Sequence, residues 1–392
     1  MQQTDIQNGD PTTWAIVKDF KKKYPNIKID LSGQPVAQHD QAIAVGAQSK
    51  TLPTIFWVNN ADVGIKLTQI GALLDLGPIV KKYNLSSKIS HTALAAFQTS
   101  SGMQFGLPQS GLVTGLYYNK KILSANGLQV PKTFDDLVNI AKVLSAKKIT
   151  TISDGANQST FSVWSFLTCL SRFGYDAKIG AILKGTASFN NPDFLKFYTH
   201  LQELQQAGAF SPNVSTKTYN QAVSDFSNGK SAFLDSGVWS AGGLQKTPIG
   251  ADVGFWAGPT FADGVGDQNI VMNVVGAPLS VSSEVKPGTP EYSAVEAYMQ
   301  YYFSDAGQQT FIDTGNIPLT NYTVKLPKSS SIFQAALDAT ANKPTPLKQP
   351  DQYLSSAAQN ALYDSIYGVI EGALTPQQAV DLAAKAIDGT GK

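Results

Sequence analysis

The sequence predicts an α/β protein of two lobes, each assembled from separate stretches of chain. Three observations carry this reading. Helix and strand patterns alternate through the first third of the chain. Its 392 residues exceed what one hydrophobic core usually organises. No Pro- or Gly-rich linker separates two consecutive domains, so the chain is expected to cross between lobes more than once.

Trp14, Val17, Phe20 and Tyr24 fall near helical spacing, and Asp10 stands where it can cap a helix beginning near Thr12. Pro25 breaks the pattern, after which Ile27, Ile29 and Leu31 alternate as in a strand. Thr54–Val58 after Pro53 reads as a buried strand, and Val63–Leu74 returns to helical character. This βαβ rhythm predicts a largely parallel sheet. Leu112–Tyr118 reads as a strand. Thr133 with Asp136, and Thr375-Pro376 with Gln378, read as capping boxes that open helices. Ala232–Leu234, Val253–Trp256 and Ala277–Val281 are short strand candidates between Gly, Ser and Pro. Ser110–Gly115, Asn273–Gly276 and Asp313–Leu319 are small, polar or Gly-bearing, as segments that absorb hinge rotation can be.

Thirty basic and 29 acidic residues leave a net charge of +1 with no basic stripe, which argues against nucleic acid as a partner. No apolar run approaches the roughly 18 residues of a membrane span. Arg172 supplies the chain's sole guanidinium fork, and that scarcity points towards an uncharged ligand. Cys169 is the single cysteine, so no intrachain disulfide forms, and its apolar surroundings read as burial. The opening Met1-Gln2-Gln3-Thr4 has no signal-peptide character, which fits either a cytoplasmic protein or a mature fragment restarted with methionine.

Catalytic signatures are absent. There is no phosphate-cradling G-x-x-x-x-G-K-[ST] and no G-x-S-x-G. His39, His91 and His200 lie far apart without zinc spacing and read as surface or capping residues. The loop Asp263–Asn269 does not match a calcium loop, so no metal and no cofactor are expected. What remains is aromatic. Sugars offer C–H patches on ring faces and hydroxyls at their edges, so a binder needs aromatic platforms flanked by fixed carboxylates and amides. Trp57 followed by Asn60 and Asp62 has this layout at a strand end, where α/β folds place ligands. Asn8-Gly9-Asp10 and Asp235-Ser236-Gly237-Val238-Trp239 have it too, whereas Trp164 and Trp256 read as core.

Several segments then match one family in order: Leu52-Pro53-Thr54-Ile55-Phe56-Trp57, Gly71-Ala72-Leu73-Leu74-Asp75-Leu76, Phe105-Gly106-Leu107-Pro108, Leu116-Tyr117-Tyr118-Asn119-Lys120, Pro131–Leu137, Phe226–Ala232, Ser236-Gly237-Val238-Trp239 and Gly315-Asn316-Ile317-Pro318. Over nearly its whole length the chain resembles the family 1 solute-binding proteins of bacterial ABC sugar importers, which include maltose-binding and multiple-sugar-binding proteins. The resemblance implies a periplasmic-binding-protein fold: two discontinuous α/β lobes, 1–112 with 275–318 and 113–274 with 319–392, joined by a multi-segment hinge with a cleft between them. It also implies a non-enzymatic monomer outside the cytoplasm that captures a neutral mono- or oligosaccharide by hinge closure. That monomer would deliver its ligand to an ABC permease and would be tethered at the membrane by a lipid anchor upstream of this fragment. The expected ligand-binding residues are Asn8, Asp10, Trp57, Asn60, Asp62, Gln109, Trp239 and Asn273. Asn60 stands where the maltose-binding branch carries aspartate, and no acidic residue follows Pro108 within Gln109–Thr114, departures that count against maltose itself. The competing expectations are a polyamine or metal-complex binder and, in another class, a carbohydrate-active enzyme.

Overall fold

The computed structural model describes residues 10–34, 36–58, 61–157, 162–211, 213–317 and 331–391. Asn8 and Asn60 therefore lie outside the described residues. The chain divides into two compact units, Met1–Gly111 with Val275–Ser329 and Leu112–Val274 with Ser330–Lys392. Among the described residues there are eight strands: β1 (Ile55–Trp57), β2 (Leu107–Pro108), β3 (Gly111–Asn119), β4 (Thr150–Ser153), β5 (Ser231–Gly237), β6 (Val253–Trp256), β7 (Met272–Val275) and β8 (Pro278–Val281).

In the first unit, β8 lies between β1 and β2 and is antiparallel to both, with Trp57 opposite Leu279 and Leu107 opposite the same residue. The helix Pro11–Lys23 is capped by Asp10, and its Ile16, Val17 and Phe20 pack with Leu76, Ile79, Leu107, Val281 and Met299. Ile27, Ile29 and Leu31 lean on this core without forming an assigned strand, so their alternation records a half-buried extended segment rather than the expected strand. A smaller core joins Ile43 of helix Val36–Ser49 to Phe56, Val58, Leu67 and Phe105.

The second unit holds the order β4-β5-β3-β6, with β7 also on β3. Here β4 and β5 are parallel, while β3 runs antiparallel to β5 and β6. The expectation of a largely parallel sheet is thus met at β4–β5 alone among the described registers. The reason is connectivity. β8 reaches β1 after a long excursion of the chain through the other unit, and a returning strand need not keep the direction that a local βαβ crossover imposes. Phe134, Leu137, Ala141 and Leu144 of helix Phe134–Ala146 pack with Leu167, Phe197, Leu201, Ile366 and Val380. Capping boxes are present at Thr133/Asp136, Thr218/Gln221 and Thr375/Gln378, where each side chain satisfies amides that a helix start leaves open.

Candidate functional site

In the first unit Trp57 ends β1 half-buried, because the alternation of the strand sends Phe56 into the core and Trp57 to the other face. The His39 imidazole lies parallel to the Trp57 indole, with ring centroids 4.6 Å apart and planes 7° from parallel. Its Nε2 sits 2.8 Å from the Trp57 carbonyl oxygen. A carbonyl only accepts, so Nε2 carries the hydrogen and donates. His39 is half-buried rather than a freely exposed or capping residue, and nothing in the local sequence signals its partner 18 positions away.

The polar candidates of this unit are more ordinary. Asp10 caps its helix, accepting from the Thr13 amide at 3.0 Å and the Thr13 hydroxyl at 2.6 Å, and it remains exposed. Asp62, in the first turn of helix Ala61–Gln69, accepts from Lys66 Nζ at 2.7 Å, an exchangeable surface ion pair. Gln109 is half-buried and donates its backbone amide to Ala277 at 3.3 Å. Among the described residues no hydrogen bond or ring contact joins Asp10, Trp57, Asp62 and Gln109 to one another.

In the second unit the carboxyl end of β5 carries a denser arrangement. Trp239 follows Gly237 in a short 3-10 turn, and a Cβ added at Gly237 would stand 2.1 Å from the indole ring, so only glycine lets the ring fold back there. The Trp239 Nε1–H donates to the Tyr219 hydroxyl at 2.9 Å. That hydroxyl also lies 2.6 Å from Ser236 Oγ and 3.0 Å from Ser240 Oγ, which are 2.8 Å from each other. The buried Trp164 ring meets Trp239 edge to face at 4.8 Å and Tyr219 at 5.3 Å. Trp164 is core, as expected, but core that props the half-buried Trp239 ring. Burial raises the Tyr219 pKa, and the bonds from Ser236, Ser240 and Trp239 offset part of that rise. Asn273 is exposed on β7, tied to Thr345 Oγ1 through its backbone.

Asp235 corrects the reading of Asp235–Trp239 as a ring platform with an acidic rim. Its carboxylate is fully buried and accepts from the Ser165 amide at 3.0 Å and the Ser165 hydroxyl at 2.7 Å. One step past the last registered pair of the parallel strands, Ser153 opposite Leu234, stands Asp154, equally buried. Asp154 Oδ1 accepts from the Tyr367 hydroxyl at 2.7 Å and the Gly155 amide at 2.8 Å, while Oδ2 has no partner among the described residues. Burial drives the Asp154 carboxyl up to about 7, and burial with the charge of Asp154 holds Asp235 well above the usual carboxylate range.

Arg172 is buried and donates to the carbonyl oxygens of Pro259 at 2.5 Å, Ala257 at 3.1 Å and Ile270 at 3.0 Å. The chain's sole guanidinium is thereby committed to its own backbone. Among the described residues no group of three or more His, Cys, Asp or Glu could hold a metal ion, and no helix is long and apolar enough to cross a membrane.

Comparison with known proteins adds the family. The multiple sugar-binding protein of Streptococcus mutans is 23% identical over 339 residues, covering 82% of this chain and 75% of that protein. A chitin oligosaccharide binding protein of known structure superposes with a TM-score of 0.83 at 23% identity, covering 97% of this chain and 94% of the other. The maltose-bound MalE3 of T. maritima superposes with a TM-score of 0.79 at 19% identity, covering 96% and 95%. These likenesses establish the fold as that of two-lobed α/β solute-binding proteins. Residues 4–309 match one family along most of the chain, and the protein belongs to the bacterial extracellular solute-binding proteins.

Proposed function

We propose that this chain captures a neutral oligosaccharide and hands it to the permease of an ABC importer, binding without turnover. The observation that carries the reading is the paired aromatic equipment. Each unit has a partly exposed indole, Trp57 or Trp239, held in a fixed orientation by a second ring and by a hydrogen bond. Pre-oriented rings suit the C–H faces of a pyranose, because little side-chain freedom is lost when the sugar arrives. Exposed Asp10 and Asn273, half-buried Gln109, and Asp62 beside its exchangeable lysine are the edge partners in this reading, with Asn8 and Asn60 proposed alongside them. The commitment of Arg172 to three carbonyls leaves no guanidinium for a carboxylate or phosphate, which favours an uncharged ligand.

In this reading the sugar stacks on a pre-oriented indole, and its binding energy shifts a conformational equilibrium of the chain. A lipid anchor would keep the monomer near its permease. Thermal-shift screening against maltotriose, chitotriose, xylotriose and raffinose tests the ligand class, since a ligand bound only by the folded state raises the melting temperature. At least one neutral oligosaccharide is expected to raise it, and spermidine is not. Release of reducing sugar on prolonged incubation would make the chain an enzyme instead.

A further inference from the structure

We propose that His39 is a positioning residue for Trp57, a backing plate that locks the indole and leaves it a single open face for ligand. The inference rests on the reading of Trp57 as a sugar platform, and it adds a residue that nothing in the sequence marks. The geometry has two independent holds on one residue. The imidazole covers one indole face, 4.6 Å away and 7° from parallel, and the same imidazole donates from Nε2 to the Trp57 carbonyl at 2.8 Å. The stack restrains the side chain and the hydrogen bond restrains the backbone that carries it.

The support is itself anchored. Ile43, four residues on from His39 and so on the same helical face, is buried with Phe56, Val58, Leu67 and Phe105. The helix that brings the imidazole is thus fixed to the core behind β1. Core packing alone would explain a ring stack between two buried groups. Trp57 is only half-buried, however, and no second ring covers its other face among the described residues. An aromatic side chain braced on one face and open on the other is preorganised for stacking. A free indole at the same place would lose rotamer freedom when a ligand arrives, weakening binding by roughly three- to tenfold.

The test uses His39→Ala, His39→Phe, which keeps a ring and loses the donor, and His39→Gln, which keeps a donor and loses the ring. The first readout needs no sugar. Acrylamide quenching of tryptophan fluorescence is measured in each variant with and without Trp57→Phe, so that the difference isolates Trp57. His39→Ala is expected to raise quenching of the Trp57 component and His39→Phe to restore the wild-type value, with melting temperatures recorded alongside. The second readout is calorimetric affinity for whichever of maltotriose, chitotriose, xylotriose and raffinose the wild type binds. His39→Ala is expected to weaken it about three- to tenfold and His39→Phe to recover most of the loss. An unchanged Trp57 component in His39→Ala overturns the proposal, as does recovery of affinity by His39→Gln but not by His39→Phe. If none of the four sugars binds while quenching still responds as expected, the brace stands and the sugar reading fails.

Discussion

Replacing Asp154 with asparagine should reduce the pH dependence of stability in the second unit. In the folded chain this carboxyl holds its proton up to about pH 7, whereas its ordinary value is 3.8. Between those values the folded state binds more protons than the unfolded state, so stability is greatest on the acid side and falls as pH climbs through 7. Linkage with these two values puts about 3 kcal/mol of stability at pH 5 that has gone by pH 8. The surroundings supply no charge that would reverse this direction. Asp235 on β5 is raised too and no cation contributes to either carboxyl's shift, while the hydroxyl that Tyr367 donates from helix Ser356–Ile370 offsets only part of the rise at Asp154. Asparagine keeps the acceptor that Tyr367 and Gly155 use and removes the proton that titrates. The assay is urea unfolding at pH 5, 6, 7 and 8 in a Trp14→Phe, Trp57→Phe background, where the remaining tryptophans, Trp164, Trp239 and Trp256, all report on the second unit. Wild-type stability should decline across the series and the Asp154→Asn slope should be shallower, with the buried Asp235 supplying what remains. A flat wild-type profile, or an equally steep variant, would refute the reasoning.

Gly237→Ala should force the Trp239 ring out of its seat, costing about 1–3 kcal/mol in urea unfolding and weakening sugar binding in calorimetry. Arg172→Lys should cost about 2–4 kcal/mol, because an ammonium cannot reach three divergent carbonyls that a planar fork serves together; a melting temperature equal to wild type would count against this. Tyr219→Phe should leave the Trp239 indole N–H and two serine hydroxyls without their shared partner, lowering ligand affinity while circular dichroism stays native. Cys169 is buried, with a thiol pushed up to about 12 by that burial, so it should resist a thiol reagent at pH 8 until the chain is unfolded.

What the sequence made legible was local. The boxes at Thr133/Asp136 and Thr375/Gln378 need residues three apart, and both form. Thr218/Gln221 has the same signature and was open to the same reading. The segments that became β1, β3, β5, β6 and β8 were visible because turn residues bound apolar runs. Their pairing was not, since nothing near Trp57 in the chain announces Leu279 as its neighbour. The site divides in the same way. Trp57 and Trp239 stood out as aromatic residues beside small polar ones, whereas their braces, His39, Trp164 and Tyr219, come from other elements. Asp235 misled for the complementary reason: an acidic residue beside Ser and Gly looks like a rim, and only the fold shows that its carboxylate turns inward to Ser165.

The central claim of the proposed function is that Trp57 and Trp239 each contribute to binding an uncharged oligosaccharide. Titration calorimetry of the wild type, Trp57→Ala and Trp239→Ala with the oligosaccharide that most raises the melting temperature tests it most directly. One-to-one binding is expected in the wild type, with more than a tenfold loss, above about 1.4 kcal/mol, in each variant while the fold stays intact. Equal affinity in either variant, or no binding of any neutral sugar by the wild type, would contradict it.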